Sequence, residues 1–202
     1  MKEPKEVRPT SSKVLQALFN ILGPLDHRSF LDLFAGTGRI SAEAWQRGAR
    51  PVVAVELLRQ RGDAWRLKKN TWKGSAQEAS FQEPEMIWGD VRRALRQFHR
   101  QGRTFDIVFA DPPYHAGWVR EILTWLIHDE LALAPGGMLV LEHSIREPVS
   151  PPEAPWCSST RTYGETALSF FEKMSIAQEK PCPTGENAEL PSETASGEEV
   201  CP

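Results

Sequence analysis

The sequence predicts an α/β fold, a mostly parallel sheet with helices on both faces that finishes in an antiparallel hairpin. Three observations lead there. Apolar runs of strand length alternate with helical patterns from Phe30 to His143. A glycine turn, Gly36-Thr37-Gly38, joins the first run to its helix. After residue 144 the alternation stops, and two strand-like runs meet around Gly164 with no helix between them. Strand-helix-strand spacing needs crossovers, which are right-handed and cover both faces of the sheet.

The elements follow in order. Ser11 to Leu22 reads as an amphipathic helix capped by Thr10 or Ser11, with Val14, Leu15, Leu18, Phe19 and Leu22 on one side, and Pro24 ends it. Strands are predicted at Phe30 to Ala35, Pro51 to Glu56, Met86 to Asp90, Phe105 to Ala110 and Met138 to His143. Helices are predicted at Arg39 to Arg47, stopped by Gly48, at Leu57 to Trp72, at Val91 to Gln101, and at Trp118 to Leu133, closed by Pro135-Gly136-Gly137. Thr160 to Tyr163 and Ala167 to Met174 form the hairpin. A single domain, residues 11–176, is expected after a short N-terminal extension, residues 1–10. From Ala177 onward the chain is Glu, Pro, Ser, Thr and Gly with little that is apolar. Such a stretch buries too little surface to offset its ordering entropy, so residues 177–202 are expected to be an acidic disordered tail.

Composition bounds the function. A hydrophobic share of 40% in 202 residues fills one core. The N-terminus is hydrophilic and no apolar run reaches membrane-spanning length, so a cytoplasmic protein with no membrane contact is expected. Three widely spaced cysteines with no CxxC pair support neither a zinc site nor a disulfide framework; reduced thiols and no metal are expected. Removing the tail's six acids and one base from the chain's 27 and 24 leaves 21 and 23. Within that near balance two basic clusters stand out: Arg59, Arg61, Arg66, Lys68, Lys69 and Lys73, and then Arg92, Arg93, Arg96, Arg100 and Arg103. Either fits a nucleic-acid partner or a solvated helix face.

The chemistry gathers at strand ends. Gly36 and Gly38 carry no side chain to hold a ligand off the turn, and the helix that follows offers free N–H groups. Ser41 stands where the dinucleotide fingerprint wants a third Gly or Ala, which argues against nicotinamide cofactors. Asp32, just before the turn, would repel a pyrophosphate but attracts the ammonium of the methionine part of S-adenosylmethionine. Glu56, ending the second strand, suits the two ribose hydroxyls. Asp90, ending the third, suits the adenine amine, with Val91 able to pack on the ring; alone, Asp90 also fits a plain helix cap.

Asp111-Pro112-Pro113-Tyr114 follows the fourth strand directly. Two prolines stiffen the loop and remove two donors, which leaves carbonyls to accept. A base amine is a poor nucleophile; Asp111 and the Pro112 carbonyl, accepting its two N–H bonds, favour the pyramidal nitrogen that attacks. Tyr114 offers a flat face for stacking. His115 follows, and Trp65, Trp72, Trp118 and Trp125 fall at spacings that suit core packing.

Together with Arg8-Pro9-Thr10-Ser11 leading into Ala17-Leu18-Phe19-Asn20-Ile21-Leu22, with Leu31-Asp32-Leu33-Phe34-Ala35-Gly36-Thr37-Gly38 and with Arg161-Thr162-Tyr163-Gly164, these residues resemble the bacterial 16S rRNA guanine-N2 methyltransferases of the RsmD type. The resemblance runs from about Arg8 to Met174. It implies a Rossmann-like class I methyltransferase fold of seven strands, S-adenosylmethionine as methyl donor, and a guanine amine in small-subunit ribosomal RNA, free or in the ribosomal particle, as target. By position it implies that Asp32, Gly36, Gly38, Glu56 and Asp90 bind cofactor, that Asp111, Pro112, Pro113 and Tyr114 hold the base, and that Arg8, Thr10 and Asn20 lie near the site; Val91 is added to the cofactor residues by its place beside Asp90 alone. A monomer is expected. Two other readings stand beside it: the same chemistry on the N6 amine of adenine in DNA or another RNA, and a non-catalytic RNA-binding or assembly protein with this fold. Members of that family usually open with a basic, glycine-containing segment ahead of the Arg-Pro-Thr motif; in this sequence seven residues precede Arg8.

Overall fold

The structure is a computed structural model in which residues 12–66, 83–147, 149–150 and 155–173 are described. Its helices are α1 (Ser12–Leu22), α2 (Arg39–Gln46), α3 (62–66 in its described part), α4 (Val91–Arg100) and α5 (Trp118–Leu123). Its strands are β1 (Phe30–Leu33), β2 (Val52–Glu56), β3 (Glu85–Trp88), β4 (Phe105–Ala110), β5 (Leu133–Ser144), β6 (Trp156–Tyr163) and β7 (Thr166–Lys173).

The seven strands form one sheet in the order β3-β2-β1-β4-β5-β7-β6. The first five pair in parallel, and β7 runs antiparallel to both β5 and β6. This is the expected class I methyltransferase architecture. The central strands are apolar at successive positions because both faces are covered. On one face Phe30, Val52, Ala54, Ile107, Phe109 and Val140 pack under α1, α2 and Trp65. On the other Leu31, Leu33, Val53, Val55, Val108 and Leu141 pack under α4 and α5.

Three local expectations need correction. The helix expected from Leu57 begins later: a 3-10 turn at Arg59–Arg61 precedes residues 62–66, and Leu58 is extended. Glu56 Oε1 accepts from the Leu58 N–H at 2.7 Å, which draws that donor out of any helix. The helix expected from Trp118 to Leu133 is α only to Leu123, continues as a π turn at Thr124–His128, and gives way to β5 at Leu133. Pro135-Gly136-Gly137 therefore lies within β5, where the register against β4 shifts between Phe105 and Ile107. Finally, Cys157 on β6 is disulfide-bonded rather than a reduced thiol, since spacing along a chain does not report proximity in a fold. Cys182 and Cys201, the tail 177–202, the extension 1–10 and the bases Lys68, Lys69 and Lys73 lie outside the described residues.

No helix among the described residues is long and apolar enough to cross a membrane. None of their His, Cys, Asp or Glu side chains cluster as a metal site.

Candidate active site

Side chains alternate along a strand, so the partners of Phe30, Ala54, Phe109 and Val140 two residues on point to the same face as those residues do. Those positions are Asp32, Glu56, Asp111 and Glu142. All four stand at the C-terminal ends of adjacent strands, β2-β1-β4-β5, where ligands bind in open α/β sheets.

Asp32 is buried in the centre of the sheet. Its Oδ2 accepts from the backbone N–H and the hydroxyl of Ser41 in the first turn of α2, at 3.1 and 2.5 Å. Burial nevertheless pushes its carboxyl up to about 7; the Ser41 bonds pull it down, and the charges of Asp111 and Glu56 push it further up. Glu56 is also buried, yet both its oxygens are engaged. Oε1 holds the Leu58 N–H, while Oε2 accepts from the Gly36 N–H and from Arg61, each at 2.8 Å. Arg61 thus occupies one edge of the carboxylate, a contact that no motif in the sequence marks.

The glycine turn explains itself atom by atom. Phe34, ahead of it, takes a left-handed φ of 68°, a strained position for an aromatic residue, and is held edge-on against Trp118 with ring centroids 5.1 Å apart. A Cβ on Gly36 would make only ordinary contacts, 3.9 Å from the Phe34 carbonyl and 4.0 Å from Arg61, so no overlap bars a side chain there. Gly38 is different. A Cβ there would lie 2.3 Å from the Trp65 ring, so its missing side chain makes room for the core rather than for a ligand.

Asp90 caps α4, accepting from the Arg93 N–H at 3.3 Å, so the plain cap reading is fulfilled. Val91 is buried in the core beneath the sheet. The exposed apolar surface beside Glu56 is Leu57, at 64% accessible. Asn20 is exposed on α1, and Arg8 and Thr10 lie outside the described residues.

In the tetrapeptide Pro112 is buried, Pro113 exposed, and Asp111 and Tyr114 half-buried. The Tyr114 hydroxyl lies 3.2 Å from the Thr166 hydroxyl on β7, which ties the ring to the C-terminal hairpin. The register that pairs Ala110 with Leu141 brings Asp111 beside Glu142 one residue on. Glu142 is buried, its Oε2 has no hydrogen-bond partner, and burial together with the Asp111 charge pushes its carboxyl up to about 8. Glu142 was missed, although the same rule that selected Asp32, Glu56 and Asp90, an acid at a strand end, picks it out on the fifth strand.

Three buried acids, Asp32, Glu56 and Glu142, and the half-buried Asp111 stand in one row, and a ligand carrying positive charge would relieve the repulsion among their ionised forms.

A family model described as conserved hypothetical protein 95 matches residues 1–172. Ribosomal RNA small subunit methyltransferase D of Haemophilus influenzae is 35% identical over 169 residues, covering 82% of this chain and 83% of that one. The solved structure of the hypothetical protein TTHA0928 of Thermus thermophilus superposes with a TM-score of 0.64 at 26% identity, over 84% of this chain and 91% of that one. An RNA methyltransferase of Salinibacter ruber, solved with S-adenosyl-L-homocysteine, shares the fold with a TM-score of 0.57 at 17% identity, over 86% and 98% of the two chains.

Proposed function

Since the chain belongs to the conserved hypothetical protein 95 family, the RsmD family of methyltransferases, we propose that it methylates small-subunit ribosomal RNA with S-adenosylmethionine, at the exocyclic N2 amine of a guanine. The observation that carries the reading is the row of acids at adjacent strand ends beside Asp111-Pro112-Pro113-Tyr114, an acidic cradle for a cation next to an amine acceptor.

Asp32 holds the ammonium through Oδ1, with Ser41 fixing the other oxygen. Glu56 takes the ribose hydroxyls as Arg61 yields its edge, and Asp90 accepts from the adenine amine while Leu57 covers the ring. When bound, S-adenosylmethionine supplies a methyl group already activated by the sulfonium, so a direct in-line displacement needs neither metal nor covalent enzyme intermediate. Asp111 and the Pro112 carbonyl accept the two amine N–H bonds and hold the nitrogen lone pair toward that methyl; alignment is the main contribution of the site. Tyr114, steadied by Thr166, stacks on the base. The proton released from the methylated nitrogen passes to Asp111 or to solvent. The reaction takes place in the cytoplasm, where its RNA is found.

Incubating purified protein with tritiated S-adenosylmethionine and deproteinised small-subunit RNA, assembled small subunits or DNA tests the reading. Label is expected in RNA or subunits, at the guanine amine, and Asp111→Ala should abolish it while calorimetry still detects cofactor binding. Label confined to DNA, or wild-type protein that neither binds cofactor nor transfers methyl, overturns it.

A further inference from the structure

Helix α4 carries Arg92, Arg93, Arg96 and Arg100 in ten residues, with no acid among them. Two of the nearby arginines have structural work. Arg92 grips Glu121 with both arms at 2.7 to 3.0 Å and lies over the Trp118 and Trp125 rings at 4.5 and 5.7 Å. Arg103, just past the helix, pairs with Glu85 and covers Phe98 and Phe105. Arg93, Arg96 and Arg100 form no ion pair among the described residues. Their spacing of three and four places them on one side of the helix. With Gln97 and His99 they line an open groove of about 510 Å³.

From these observations we infer that the Arg93-Arg96-Arg100 face of α4 is a docking surface for the phosphate backbone of the RNA substrate. Charge and placement argue for that occupant. The whole chain is acidic, at −3, so three arginines on one face with no ion pair among the described residues, Arg96 donating only to the Arg92 carbonyl, are a local concentration and not a reflection of the average. Helix α4 starts at Asp90, in the cofactor site, so the face leads away from the reacting centre. At 1.5 Å per residue Arg93 and Arg100 are about 10 Å apart along the axis, roughly three phosphate steps of one strand. Guanidinium groups match phosphate oxygens in geometry as well as charge. A strand held here has its sugar-phosphate chain anchored while a base is drawn toward Tyr114. The inference rests on the ribosomal RNA reading, and it assigns to α4 a grip that no catalytic residue supplies.

The test compares wild type with Arg93→Gln/Arg96→Gln/Arg100→Gln and with a charge-matched control, Arg66→Gln/Arg120→Gln/Arg146→Gln. Binding of fluorescent small-subunit RNA is followed by anisotropy across a potassium chloride series, and S-adenosylmethionine binding by calorimetry checks that each variant is folded. Each lost phosphate contact should flatten the slope of log K against log salt by about 0.7, so the α4 variant should lose roughly 2 units of slope and about a hundredfold in affinity near 0.1 M salt. Its KM for RNA should rise while kcat at saturating RNA stays within about twofold. Equal losses in both variants, or none in the α4 variant, overturn the inference and leave the methyltransferase reading intact. If the α4 variant instead loses affinity for an acidic polypeptide such as polyglutamate and keeps its RNA affinity, the face binds protein and the inference fails. Wild-type protein that binds no RNA at all defeats both.

Discussion

Two glycines two positions apart carry different loads. Gly36 has φ 56° and only ordinary contacts, at 3.9 Å and beyond, where a side chain would go; Gly38 has φ 73° and the Trp65 ring there instead. Alanine at 36 therefore meets only the left-handed backbone, about 1 kcal/mol, and reduces cofactor affinity more than stability. Alanine at 38 adds a steric overlap, and should cost about 2–4 kcal/mol in all. Urea unfolding of both variants measures this; equal losses at the two sites would refute the Trp65 contact. The sequence shows both glycines as one motif, and nothing in a one-dimensional pattern separates them, because the ring that distinguishes Gly38 arrives from a residue 27 positions later. Arg61 against Glu56 was illegible for the same reason. Glu142 was legible, since it needed only the strand-end rule already in hand.

At the scale of elements, the strands and α1, α2 and α4 were readable because local periodicity and caps agree with the tertiary fold. The start of α3 was not, because a side chain, Glu56, takes the Leu58 donor. Nor was the end of α5, where a π turn replaces the last α turns. The candidate site was readable to the extent that it lies on strand ends, and Asp90 shows the ambiguity that remains: one residue both caps α4 and faces the proposed adenine position. Serine retains a cap but no charge. Asp90→Ser should keep the urea midpoint within about 0.5 kcal/mol of wild type while weakening S-adenosylmethionine binding several-fold; Asp90→Ala should lose about 1 kcal/mol as well. Unchanged cofactor affinity in Asp90→Ser would leave Asp90 a cap alone.

For the molecule as a whole, the acids at the sheet edge set a pH dependence. Asp32 rises to about 7 and Glu142 to about 8 in the folded protein, above their ordinary values near 4. The folded state then binds more protons than the unfolded chain between about pH 4 and 8, so stability falls as pH rises through that window. The thermal midpoint of the free protein should drop by several degrees from pH 5 to 8, less steeply in Asp32→Asn and less steeply with saturating S-adenosylmethionine, whose charge favours the ionised carboxylates. A midpoint that holds steady or climbs over that range would contradict the buried row. The sheet order has another consequence. The last strand in chain order, β7, is an interior one, paired with β5 on one side and β6 on the other, and it carries the Thr166 hydroxyl that steadies Tyr114. On a translating ribosome the growing chain can assemble β1 to β5 as they emerge, but β6 has no partner and the Asp111-Pro112-Pro113-Tyr114 loop no Thr166 contact until β7 has been synthesised. The far end of the chain thus completes the surroundings of a loop made some fifty residues earlier, and the Tyr114 contact is among the last the described residues can form.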